Sequence, residues 1–227
     1  MEVSRVDTIG SCRRAALVLS AILLMAAGRA MAGPPLICHA VEIGTARSLP
    51  WSSTGWNLSG KETYKTANLV SDTLALLAPN TPVLVRMETM RRATLYAQDN
   101  NRVAGELLTK LETRANANPQ DALAAFDYGY LVETYKQANW LAQNTNWLKG
   151  SHNTGMAAAE SVDRYAFVEK AIAKRGKDAA MEFAAALMIK DEAAPERARH
   201  LKSALAGAKN DPLLARNLAS RFPKEAA

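Results

Sequence analysis

From Lys61 to the C-terminus, apolar residues recur at intervals of three and four, punctuated by proline and glycine, and no run alternates with period two. Such a chain offers one apolar stripe per segment and asks for helices packed against helices. Residues 63–77 place Ala67, Val70, Leu74 and Leu77 on one face and stop before Pro79. Thr81-Pro82 reads as an N-cap followed by proline at the first helical position, and the stripe that follows is Val83, Met87, Met90 and Ala97. A third segment, 101–114, carries Val103, Leu107 and Leu111. In Asn118-Pro119-Gln120-Asp121 the acid falls near the third helical position, where it suits the helix dipole. The helix opened there holds Leu123, Phe126, Tyr130, Leu131 and Tyr135.

Helical period resumes with Ala158, Val162, Tyr165, Val168 and Ile172 and ends at Lys174-Arg175-Gly176, basic residues followed by glycine. Residues 180–189 are apolar nearly all round, which predicts the most buried helix of the set. Pro195 starts another helix, with Ala198, Leu201, Leu205 and Ala208 inward, and Asp211-Pro212 caps a last one carrying Leu214, Leu218 and Phe222. The total is about eight helices joined mostly by short turns, an all-α fold of antiparallel neighbours. The low aromatic content, 6%, agrees with it. With 48% hydrophobic and 22% charged residues, the composition excludes collagenous, mucin-like, disulfide-scaffold and wholly disordered chains.

The two segments ahead of Lys61 differ from this pattern. Residues 1–32 have the three parts of a secretory signal: Arg13 and Arg14, a short apolar run over 15–27, and Ala30-Met31-Ala32 before Gly33. The expected product is exported, periplasmic or secreted, and begins at Gly33. The apolar run is shorter than the roughly 20 residues that span a bilayer, so no stable membrane span is expected after cleavage. Cleavage removes four arginines against Glu2 and Asp7 and takes the formal net charge from +6 to +4. That mild excess, without a basic block, gives no nucleic-acid footprint. Residues 33–60, with Gly33-Pro34-Pro35, Pro50-Trp51 and three further glycines, read as an extended arm packing on the helical domain 61–227 through Leu36, Ile37, Trp51 and Trp56. Residues 140–155 form the longest irregular candidate.

Two helix-pair boundaries end alike, Ala115-Asn116-Ala117-Asn118-Pro119 and Ala208-Lys209-Asn210-Asp211-Pro212. With Pro119 as closing proline, the next unit begins at Ala122 and its small-residue position falls on Gly129 beside Tyr128. In these features the chain resembles tetratricopeptide repeats. It departs from them in having Ala125 at the consensus tryptophan and 93 residues between Pro119 and Pro212. The resemblance implies helix pairs stacked as a short right-handed α-solenoid; a non-repeating helical bundle is the alternative. It further implies a concave face that binds a peptide or protein, here an envelope partner, with Arg92, Tyr96, Phe126 and Tyr130 on groove positions; the opposing expectation puts Phe126 and Tyr130 in the core. The Gly-Pro-Pro-Leu-Ile-Cys-His opening with Ser-Leu-Pro-Trp also resembles exported bacterial proteins to which no activity is attached.

Catalytic signals are sparse. The exported chain would hold Cys38, His39, His152 and His200, without C-x-x-C, H-x-x-x-H or H-E-x-x-H, so no metal site and no cofactor is expected. Neither G-x-S-x-G nor a phosphate-binding glycine loop occurs. Cys38 is the sole thiol left after cleavage and reads as packed, the histidines as surface side chains. The enzymatic alternative makes Cys38 a reactive thiol served by His152 or His200. Asp127 and Glu133, about 120° apart on one helix, read as a solvated face.

Overall fold

Six of the helix starts are set by an acid or amide at the N-cap. Asn100, Asp121, Asn153, Asp163, Asp178 and Asp211 each accept a hydrogen bond from a backbone N–H two or three residues on, satisfying donors that the first turn leaves unpaired. The computed structural model describes residues 34–52, 58–146, 148, 153–176 and 178–226. Residues 1–32, read above as a secretory signal, lie outside the described residues, as do Gly33, Trp56, His152 and most of 147–152.

The described residues are 66% helix, and there is no strand among them. Its α-helices are α1 (Leu69–Leu76), α2 (Val83–Ala97), α3 (Asn101–Ala117), α4 (Ala122–Asn144), α5 (Thr154–Ala157), α6 (Arg164–Arg175), α7 (Ala179–Met188), α8 (Pro195–Ala208) and α9 (Pro212–Arg221), with 3-10 turns at Thr66–Asn68 and Ala158–Ser161. The all-α expectation holds. Helix α4 lies at the centre, packed against α2, α3 and α6, while α7 pairs with α8 and α8 with α9. Where α4 crosses α6 the backbones come very close: a Cβ on Gly129 would stand 2.8 Å from Arg164 O. Any larger side chain there pushes the two helices apart. Helix α6 ends on Gly176 at φ 72, a conformation that favours glycine.

Several local expectations are corrected. Thr81 is not the N-cap of α2; Pro82 is, and the Thr81 hydroxyl instead donates to Leu76 O at the end of α1. Asp121 is the N-cap of α4 rather than a first-turn acid. Residues 63–68 do not join α1, and 154–161 form two short pieces before Asp163 caps α6. Helix α7 is buried from Met181 to Met188 as its composition requires, yet α2 is enclosed at least as fully, with Arg86, Glu88 and Arg91 among its buried residues. Asp127 and Glu133 are likewise buried, not solvated. Charged side chains can be enclosed when each meets an opposite charge or a hydrogen-bonding group. Arg86 meets Asp127 at 2.6 Å, and Glu133 meets Arg164 at 2.5 Å.

Candidate functional site

Two of these buried charged groups, Glu88 and Arg91, meet the arm. Its first residues are not extended: Ile37 N and Cys38 N both donate to Pro34 O and close a turn. That turn drives Leu36 and Ile37 into the core, followed along the arm by Val41, Ile43 and Leu49. A segment buried without a strand partner must find other acceptors and donors for its backbone. The body supplies them from side chains.

Helix α2 supplies most of them from one face, where Glu88, Arg92 and Tyr96 follow each other at intervals of four. Glu88 Oε2 accepts from Val41 N at 2.9 Å. Arg91 Nη1 donates to Ile37 O at 3.2 Å and Arg92 Nη1 to Leu49 O at 2.6 Å. Tyr96 Oη donates to Pro50 O at 2.5 Å and accepts from Lys61 N at 2.7 Å. The Glu88 carboxylate is shared: Arg91 reaches it through Nε and Nη2, Arg92 through Nε. On α4, Gln137 Oε1 accepts from Leu36 N at 2.8 Å and its amide nitrogen donates to Glu133. On α9, Asn217 both accepts from Glu42 N and donates to Glu42 O, and Arg221 Nη2 donates to Pro35 O at 2.6 Å. Seven of these side chains, Glu88, Arg91, Arg92, Tyr96, Gln137, Asn217 and Arg221, reach arm main-chain atoms. This polar grip follows the path of the backbone, while the buried Leu36, Ile37, Val41, Ile43 and Leu49 hold the arm through their side chains.

The far end of the arm rests on a cation–aromatic cluster. Trp51 has the Arg91 and Arg92 guanidinium carbons 5.0 and 5.8 Å from its ring centroid, and Tyr96 meets it edge-on at 5.6 Å. Tyr64 stands 4.5 Å from Tyr96 on the other side. Guanidinium groups over an indole face are attracted by the ring quadrupole.

The four proposed groove residues therefore split. Arg92, its side chain 18% exposed, and Tyr96, half-buried, lie at this interface and hold the arm. Phe126 and Tyr130 are 0% exposed, stacked on each other at 5.6 Å within the core, which removes them from any open groove. The cause is the central position of α4, enclosed by α2, α3 and α6.

Cys38 is a free, buried thiol, and burial pushes its pKa up to about 11 against the opposing pull of Arg221 and Arg91. A thiol held protonated is a poor nucleophile. His200 is not a surface residue: it is 0% exposed, with Nδ1 2.5 Å from Glu182 and Nε2 facing Tyr165 at 2.6 Å and Glu169 at 2.9 Å. Both ring nitrogens are thus engaged among α6, α7 and α8. His39, half-buried beside Arg221 and Arg91, is pushed down to about 4 by burial first and those charges second. Among the described residues no group of three His, Cys, Asp or Glu could hold a metal ion, and no helix is long and apolar enough to cross a membrane. The sequence reading missed Glu88, Arg91, Gln137, Asn217 and Arg221. Their signal was the presence of charged and amide residues inside otherwise apolar helices. No family model, curated protein or solved structure matches the chain.

Proposed function

We propose that this chain is an exported helical module of the bacterial envelope that binds an extended segment of a peptide or protein partner. On this reading, residues 1–32 direct export, the helix pairs stack as a short tetratricopeptide-like solenoid, and Arg92 and Tyr96 belong to the binding face. The supporting observation is the grip on the arm: Glu88, Arg91, Arg92, Tyr96, Gln137, Asn217 and Arg221 all bind main-chain atoms of residues 35–50. A surface that bonds the main chain of one segment can bond that of another, because amides and carbonyls repeat in every sequence. The arm is then the intramolecular occupant of the face. A site built on Cys38 and a distant histidine has less support, since the thiol is protonated and enclosed and His200 is tied to Glu182.

The test is a nicked protein. A protease site placed between Ser52 and Leu58 is cut after folding, and a fluorescent peptide of residues 34–52 is added. The reading expects the body to keep its helical content after cutting and to exchange its arm for the labelled peptide, which the uncut protein excludes. Loss of helical structure on cutting, or no exchange with the labelled peptide, contradicts it.

A further inference from the structure

The arm side chains meet surroundings far more particular than its backbone does. From Ala40 to Gly44 the arm runs with period two: Val41 and Ile43 are buried, while Ala40, Glu42 and Gly44 are exposed. That is the pattern of an extended chain with one side laid on the body. Ahead of it, the turn closed on Pro34 O buries Leu36 and Ile37 together, at 1% and 0% exposure. After it, Gly44 takes φ 60, a left-handed conformation that other residues adopt only at a cost, and Ala46 N donates back to Ile43 O.

Position 42 is held by two neighbouring residues of α9. Asn217 clamps its main chain, accepting from Glu42 N and donating to Glu42 O, both at 2.9 Å. The clamp fixes where the side chain leaves the backbone, and there Arg216 Nε meets the Glu42 carboxylate at 2.8 Å. The rest of the face leans to the same sign, since Arg91, Arg92 and Arg221 bond the arm against the one carboxylate of Glu88. A basic side chain at position 42 would be repelled by Arg216. Arg216 and Glu42 are 54% and 52% exposed, so this pair weighs less than the enclosed apolar positions. Main-chain bonds of this kind give affinity, and side chains at alternate positions give specificity.

We infer, on the basis of the binding role proposed above, that the face selects a segment of another protein by its side chains: apolar at the positions of Leu36, Ile37, Val41 and Ile43, acidic at that of Glu42, and glycine at that of Gly44. Along the partner the order is two apolar residues, three others, then apolar, acid, apolar, glycine. The arm carries this order itself and so competes with the partner for the face. Arg216 is the residue of the face that reads the acid, with Asn217 as its positioning residue.

The experiment loads the cut protein with the fluorescent peptide of residues 34–52 and titrates in unlabelled competitors. The parent peptide should displace the label at the lowest concentration. Ile37→Asn in the competitor should raise the concentration needed by about tenfold or more, Gly44→Val by about tenfold, and Glu42→Lys by about threefold. In a body carrying Arg216→Glu, an exposed change that leaves the core untouched, the order at position 42 should reverse, with the Glu42→Lys peptide displacing better than the parent. General weakening of the face does not produce such a reversal. A parent peptide that never exchanges overturns the binding role and the selection with it. Exchange of the parent with equal displacement by every variant overturns the selection alone, as does an unreversed order in Arg216→Glu. Uncut chains that trade arms to form a dimer would give the face to a second copy of this chain and overturn the outside partner.

Discussion

Helices α2 and α7 are enclosed to a similar degree and reach that state by opposite means. Helix α7 is buried from Met181 to Met188 and presents apolar surface in nearly every direction. Its burial follows from removing hydrocarbon from water, and Glu182, its one carboxylate, is met by His200. Helix α2 buries Arg86, Glu88, Thr89, Arg91 and Thr94 beside Met87 and Met90. Those charges stay inside because partners from other parts of the chain meet them: Asp127 on α4 for Arg86, the arm backbone for Glu88 and Arg91. An apolar helix can exchange one hydrocarbon neighbour for another. A charged buried helix depends on particular atoms, and the arm supplies many of them.

The comparison can be broken most forcefully at Arg86. This side chain donates to Asp127, to Thr81 O and to Ala78 O. Arg86→Ala leaves the buried Asp127 with only Arg114, 3.7 Å away, and is expected to cost about 3–5 kcal/mol of stability, read by urea unfolding. On the apolar side, Phe183→Ala in α7 opens a cavity and should cost a similar ~3–5 kcal/mol. Equal losses by different mechanisms separate in their pH dependence. Burial raises Asp127 to about 7 against the pull of Arg86 and Arg114. Between about 4 and 7 the folded protein then holds a proton that the unfolded chain releases, so stability falls as pH rises through that window. Asp127→Asn should flatten the slope, and Phe183→Ala should leave it unchanged.

Tyr130 and Tyr96 sharpen the contrast within one pair. Tyr130→Ala removes a fully enclosed ring and is expected to cost about 3–5 kcal/mol. Tyr96→Ala removes a half-buried side chain and two hydrogen bonds, one to the arm at Pro50 O and one from Lys61 N just beyond it, for a smaller loss of about 1–2 kcal/mol. It should also raise hydrogen exchange in the arm more than in α4. The smallest effect belongs to Arg102 and Glu106, an exposed pair 3.0 Å apart on α3. Arg102→Ala should change stability by less than about 0.5 kcal/mol. Charge matters here where it is buried.

What was legible in the sequence follows the same division. Spacing and caps place the helices well: Asp211-Pro212 begins α9 and Lys174-Arg175-Gly176 closes α6, because these signals act within a few residues. The apolar character of α7 sufficed to predict its burial. Tyr130, by contrast, carries no local mark that separates a groove from a core. Its environment is decided by α2, α3 and α6 closing around α4, contacts made far along the chain. Asp127 and Glu133 look like a solvated face because the arginines that enclose them, Arg86 and Arg164, lie some 40 and 30 residues away. The arm's apolar residues were recognisable, and its backbone partners were not, since one side chain meeting a distant carbonyl leaves no periodic trace.

The central claim is that the arm is gripped by side chains of α2, α4 and α9, with its turn pressed into the core. Cys38, buried in that turn, reports on it directly through its rate of alkylation in the native chain from Gly33. The account predicts labelling slowed by orders of magnitude relative to the urea-unfolded chain, and faster labelling in Glu88→Gln while the helical content is retained. A native Cys38 that labels as fast as the unfolded chain would contradict it.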